Sequence, residues 1–160
     1  MPSREIDVLL ASLDQAYDRK SWHGTNLKGS LRGVTPELAS FRPGPRRHDI
    51  WELAVHAAYW KYVVRRRLLG EKRGSFPLKG SNWFVRPIER TAVAWRADLD
   101  LLEATHRSLR EAVAALDPRE LPRMPAGRKV SNLALITGAA AHDVYHAGQI
   151  QLLKRLAAGV

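Results

Sequence analysis

The stretch from Ser131 to Ala158 reads SNLALITGAAAHDVYHAGQIQLLKRLAA, and its pattern decides the fold. Ser131 and Asn132 are both suitable helix caps. From Leu133 to Gly148 the residues are apolar almost all round, with Gly138-Ala139-Ala140-Ala141 in the middle. Small side chains let a neighbouring helix approach closely, and all-round apolarity marks a helix deep inside a bundle. The pattern predicts a last helix, running to about Ala158, at the centre of an all-α fold. His142 and His146 stand four residues apart within it, one turn above the other on the same face.

Three further segments carry helical periodicity, and none alternates as a strand. Ile6, Leu9, Leu10, Leu13 and Tyr17 form one face of a first helix, with Ser3 as its cap and Trp22-His23-Gly24 marking its end. Ile50, Leu53, Ala57, Trp60, Val64 and Leu68 stripe a second, from about Asp49 to Leu69, stopped by Gly70. Trp95, Leu99, Leu102, His106, Leu109 and Val113 stripe a third, from near Pro87 to Leu116. Between the first two, Thr35-Pro36-Glu37 reads as a short helical turn, with Thr as cap and Pro at the first helical position. The expected architecture is a four-helix bundle with long crossover connections, one domain over residues 1–160. The connections between helices one and two and between two and three are long enough to cross it. The second of them carries Phe76, Trp83 and Phe84, and loop aromatics plug a bundle end or line a pocket.

Composition narrows the function. The 160 residues are 45% hydrophobic and 26% charged, which is the balance of a globular chain. With no cysteine, disulfides, thiolate metal sites and a cysteine nucleophile are all excluded. No run of apolar residues is long enough to span a bilayer, and MPSREIDVLL lacks the apolar run of a signal peptide, so the expected location is cytoplasmic. The formal charge is +10, with basic residues densest between Arg42 and Arg73. Such an excess favours anionic partners. A basic nucleic-acid-binding module is one reading of it, but the chain holds no helix-turn-helix spacing, zinc-finger pattern or aromatic–basic strand motif. A solvated helix face accounts for the same charges.

Two polar rings on an apolar helix each require a partner, and one metal ion serves both His142 and His146. Core histidines bonded to backbone, Tyr or Asp are the alternative. His142-Asp143-Val144-Tyr145-His146 matches H-E-x-x-H with Asp in the Glu place, but Asp is a methylene too short to act as that motif's general base. Beyond His146 the chain reads AGQIQLLKRLAAGV, without His, Asp or Glu, so a third ligand lies upstream. His23 and His48 lie in or beside loops. His56 is mid-helix, one position off its stripe, and His106 is on its stripe. Spacing does not separate the last two.

The segment His48-Asp49-Ile50-Trp51-Glu52-Leu53-Ala54-Val55-His56-Ala57-Ala58-Tyr59-Trp60 and the ending His142-Asp143-Val144-Tyr145-His146-Ala147-Gly148-Gln149-Ile150 resemble the DinB/YfiT-like superfamily of metal-binding four-helix bundles. The ending is similar to that family's H-x-x-x-H-x-G-Q-[IL]. The Thr35-Pro36-Glu37 turn and the lead-in Arg42-Pro43-Gly44 fit it too, and the likeness covers residues 4 to 157. Carried over, it implies His56, His142 and His146 as metal ligands, with His106 unused. It implies zinc, nickel or another divalent ion, a homodimer, and a small-molecule substrate. Activities in the family include transfer or isomerisation with low-molecular-weight thiols, and hydrolysis. The expected function is therefore a metal-dependent enzyme of thiol S-transferase or hydrolase type, with catalytic residues unassigned. The alternative is a non-catalytic metal-binding or interaction bundle.

Several neighbours belong to this expectation. Glu52, one turn before His56, is placed to orient a ligand or accept a proton. Asp143 points about 100° away from His142 and suits a supporting or interface role. Gln149 is on the side of His146, and Tyr59, Trp60, Trp83 and Tyr145 are candidate pocket walls. Arg65 and Arg67 would form a basic mouth.

Overall fold

Polar caps set the helix starts. In the computed structural model, which describes residues 3–86 and 89–159, six α-helices follow in chain order. They are α1 (Arg4–Tyr17), α2 (Leu27–Ser30), α3 (Pro36–Ala39), α4 (Ile50–Leu68), α5 (Ala92–Ala114) and α6 (Asn132–Ala157), with a 3₁₀ turn at Pro118–Glu120. No strand occurs among the described residues. The side chains of Asn26, Thr35, Asp49, Thr91 and Ser131 each accept a backbone N–H from the first turn of the helix they open. Asp49 and Glu52 do so reciprocally as a capping box. Ser3 occupies the cap position of α1 but makes no such bond.

Two boundaries differ from the sequence expectation. α1 ends at Tyr17, before Asp18-Arg19-Lys20, because those charged residues offer no apolar face to bury, and packing rather than propensity sustains a helix. α5 starts at Ala92, where Thr91 supplies the cap; Pro87, the expected start, lies outside the described residues.

Four long helices make the bundle. α4 packs on α5 and α6, and α1 packs on the same two, so α1 and α4 face each other across the bundle. The chain from Asp18 to Asp49 therefore crosses the bundle, and its α2 lies against α6. The segment after α4 instead joins neighbours. It folds back on α4, with Phe76 edge-on to Tyr59 and tilted against Tyr62 at ring separations of 5.3 Å and Phe84 at 5.3 Å from Tyr59. Buried charges pin these connections: Trp51 Nε1 donates to Asp98 at 2.6 Å, and Arg86 Nε reaches the same carboxylate oxygen at 2.7 Å.

α6 is not buried all round. His146, Ala147 and Ile150 face inward, whereas Tyr145 is 64% and Leu152 57% exposed. With Leu133 and Leu156 they form an open apolar face, in which Gly138 and Gly148 have nothing near them. Apolarity on every side of a helix thus reflects two uses, an inner face in the core and an outer face left uncovered. Among the described residues no helix is long and apolar enough to cross a membrane.

Candidate metal centre

His142 and His146 project from successive turns of α6, and His56 comes from the middle of α4, which packs against it. The ring nitrogens of the three lie within 4.8 Å of one another. His142 Nε2 is 3.1 Å from His56 Nε2 and 2.9 Å from His146 Nε2. His56 and His146 are buried, and His142 is half-buried, so the group has one solvent-facing member.

The outer nitrogens decide what the inner ones can do. His56 Nδ1 lies 2.8 Å from the backbone carbonyl of Asn82. A carbonyl only accepts, so Nδ1 carries the proton and Nε2 presents a lone pair. His146 Nδ1 lies 2.6 Å from Gln149 Oε1, with the same consequence. Two lone pairs therefore point at His142 Nε2, which in a neutral ring has at most one proton to offer. Extra protons are disfavoured as well. Burial holds His56 down to about 4 and His142 to about 3, and it lowers His146 too; the neighbouring rings add to the effect at His56 and His142. The arrangement is a set of converging acceptors short of a donor, which is what a divalent transition ion fits.

The loop after α4 holds the third ligand candidate in place. Trp83 stacks on His56 at 3.9 Å, and His48 stacks on the other face of Trp83 at 3.5 Å. Asn82 adopts φ 64°, a left-handed conformation uncommon for a residue other than Gly, and its Oδ1 accepts from Trp60 Nε1 at 2.9 Å. Asn82 is the site residue that sequence reading missed. It acts through its backbone, and no side-chain pattern announces it.

A family model described as the DinB superfamily matches residues 20–150, a span that includes all three histidines. The chain belongs to the DinB superfamily. No curated protein and no solved structure matches it.

Other expected neighbours of this DinB-superfamily site are placed differently. His106 is not in the group. It stacks on Tyr17 at 3.8 Å and its Nδ1 accepts from Lys61 Nζ at 3.2 Å. Glu52 touches no ligand candidate, since Arg42 Nη2 holds it at 2.7 Å and the α4 cap and His48 take its other oxygen at 3.2 Å. Asp143 turns into the core and pairs with Lys61. Gln149 and Trp83 are where the sequence suggested. Tyr145 is mostly exposed, its ring 5.2 Å from that of His146.

Proposed function

We propose that this DinB-superfamily chain, read as one bundle domain over residues 1–160, is a metal-dependent enzyme. His56, His142 and His146 would hold one divalent transition ion, zinc or nickel. The observation that carries this is the convergence of three Nε2 atoms, two of them held as acceptors by Asn82 and Gln149. A divalent ion held by three neutral imidazoles supplies Lewis acidity, which acidifies water or a thiol bound beside it. The chain's own residues do the rest. Asn82 and Gln149 orient two of the rings, Trp83 covers one face of His56, and the half-buried side of His142 leaves an approach for a small-molecule substrate. A low-molecular-weight thiol suits the reading, because a chain without cysteine must receive a sulfur nucleophile from outside. The proposed reaction class is thiol S-transfer or hydrolysis.

A homodimer belongs to the proposal. From Leu133 to Leu152 the outer face of α6 is apolar and uncharged on a chain of net charge +10, with Arg155 following only in the last turn, so two copies repel least when they meet there. Sedimentation of Leu152→Glu as a monomer beside a dimeric wild type supports this; a dimer in both counts against it.

One observation favours the non-catalytic reading. Glu52 and Asp143, the two carboxylates nearest in sequence to the ligand candidates, are both engaged elsewhere, so neither is free to act as a base.

Elemental analysis of untagged protein tests the centre. Wild type is expected to carry about one equivalent of metal, lost in His142→Ala and His56→Ala and kept in His106→Ala. Folded wild type that takes up no zinc or nickel after reloading would sink the enzyme reading.

A further inference from the structure

A cavity of about 370 Å³ lies between α4 and the segment Arg73–Ser81. Its walls include Tyr59, Tyr62 and Phe76, and its charged residues are Arg66, Arg73 and Lys79, with no carboxylate among them. None of the three histidines lines it. Its size is that of a small-ligand pocket.

Arg66 is the informative residue. It is only 8% exposed, yet among the described residues no carboxylate lies within ion-pair distance of it. The nearby acid, Glu71, gives its carboxylate to Arg65 at 2.7 Å and offers Arg66 only its backbone carbonyl, at 3.0 Å from Nη1. Arg66 Nε has no partner at all, and neither does Arg67 Nε. A buried guanidinium without a counter-charge is costly, and among the described residues only the Glu71 backbone carbonyl offsets part of that cost.

Cations near a helix C-terminus are ordinarily explained by the helix dipole. That accounts for Arg65, which is half-buried and finds Glu71. It does not account for a buried Arg66 beside further cations. Burial and the neighbouring Arg128, Arg66 and Arg73 even press the Arg67 guanidinium below its usual range. The region is short of negative charge.

We propose that this cavity binds the carboxylate or phosphate of a small anion with an aromatic body, with Arg66 as the buried counter-ion. Arg73 and Lys79 meet the anion at the exposed rim, and Tyr59, Tyr62 and Phe76 take the ring. A guanidinium offers paired donors to either oxyanion, and aromatic walls favour a flat ring over an aliphatic chain. The site stands apart from the metal centre, although Ser81 at its edge adjoins Asn82.

Calorimetric titration of the full chain at low salt tests it, with benzoate, phenyl phosphate, inorganic phosphate and the uncharged benzamide as probes. Benzoate or phenyl phosphate is expected to bind saturably and benzamide at least about tenfold more weakly. Phenyl phosphate should also exceed inorganic phosphate severalfold; equal affinities would overturn the aromatic class. Binding should persist in His142→Ala, which separates this cavity from any anion held by a metal. Arg66→Gln should weaken binding at least about tenfold. If that variant does not fold, Arg73→Gln/Lys79→Gln, changed only at the exposed rim, must show the loss instead. No saturable binding of either aromatic anion up to about 10 mM, or benzamide binding as well as benzoate, would overturn the proposal.

Discussion

His142 and Asp143 are neighbours in α6, yet they feed two different buried polar groups. His142 joins His56 and His146. Asp143, fully buried, joins Lys61, which is 2% exposed and donates to His106 at 3.2 Å. Burial and titration do not tell the two groups apart, since both His106 and His142 are held down to about 3, chiefly by loss of solvent. The balance of donors and acceptors does. Around Lys61 one ammonium serves a carboxylate and a ring nitrogen, so charge closes on charge, although Asp143 Oδ1 is left without a partner. Around His142 two lone pairs meet a ring with at most one proton to offer. The first group is balanced in charge as protein; the second stays one donor short until something is added. Burial alone would have assigned both the same role.

The largest effect expected from this contrast falls on the closed group. Lys61→Ala strands the Asp143 carboxylate in the core and should cost about 3–5 kcal/mol, lowering the melting temperature by on the order of 10 °C. Lys61→Met with Asp143→Leu removes both charges and should recover most of that stability. The folded fraction of each variant should still take up its metal. Denaturant melts and metal content read the two properties separately. Loss of metal in a well-folded Lys61→Met/Asp143→Leu protein would mean the two groups are one site.

A smaller effect is expected in the open group. Gln149→Leu removes the acceptor that orients His146 and should weaken zinc binding about 10- to 100-fold, with little change in stability. Gln149→Glu keeps an acceptor there and should restore most of the affinity. Competition against a chromophoric chelator measures both. Unchanged affinity in Gln149→Leu would leave the His146 tautomer with no role in metal binding.

Much of this was legible in the sequence because it depends on periodicity. The stripes of α1, α4 and α5 and the i, i+4 pair on α6 all follow from which residues share a face, and the cap at Ser131 follows from its residue type. Lys61 was legible too and passed unread: it sits four residues after Ala57 and three before Val64, on the stripe itself. Asp143 sits four residues after Ala139 and four before Ala147, on the inner face of α6. A charge on an inner stripe implies an opposite charge on a facing one, and pairing the two would have withdrawn His106 from competition with His56. Resemblance, not spacing, separated those histidines. Trp83 was readable as a pocket wall, but the contribution of Asn82 lay beyond such reasoning, because the position of a backbone carbonyl depends on the path of a segment without period. The outer face of α6 misled for a related reason, since a helix apolar on all sides does not say which side the bundle covers.

The smallest expected effect concerns pH, and it divides the two groups without disturbing either. His106 titrates near 6.5 in an unfolded chain and is held near 3 in the folded one by burial and the Lys61 ammonium. Its contribution to stability is therefore full above about pH 6.5 and is lost as pH falls from there toward 3, because the unfolded chain takes up the proton first. Between pH 7 and 5 this amounts to about 1–2 kcal/mol. The three clustered histidines are also depressed and lose stability in the same direction when no metal is bound. Zinc changes only their share, since a coordinated imidazole has no lone pair left to protonate. Melting temperature against pH should thus fall steeply in chelator-treated protein and less steeply with zinc. Of the slope that survives zinc, a part should disappear in His106→Gln. If zinc leaves the slope unchanged, the open group is not where the metal binds; if His106→Gln leaves the remainder unchanged, the closed group is not where the residual proton goes.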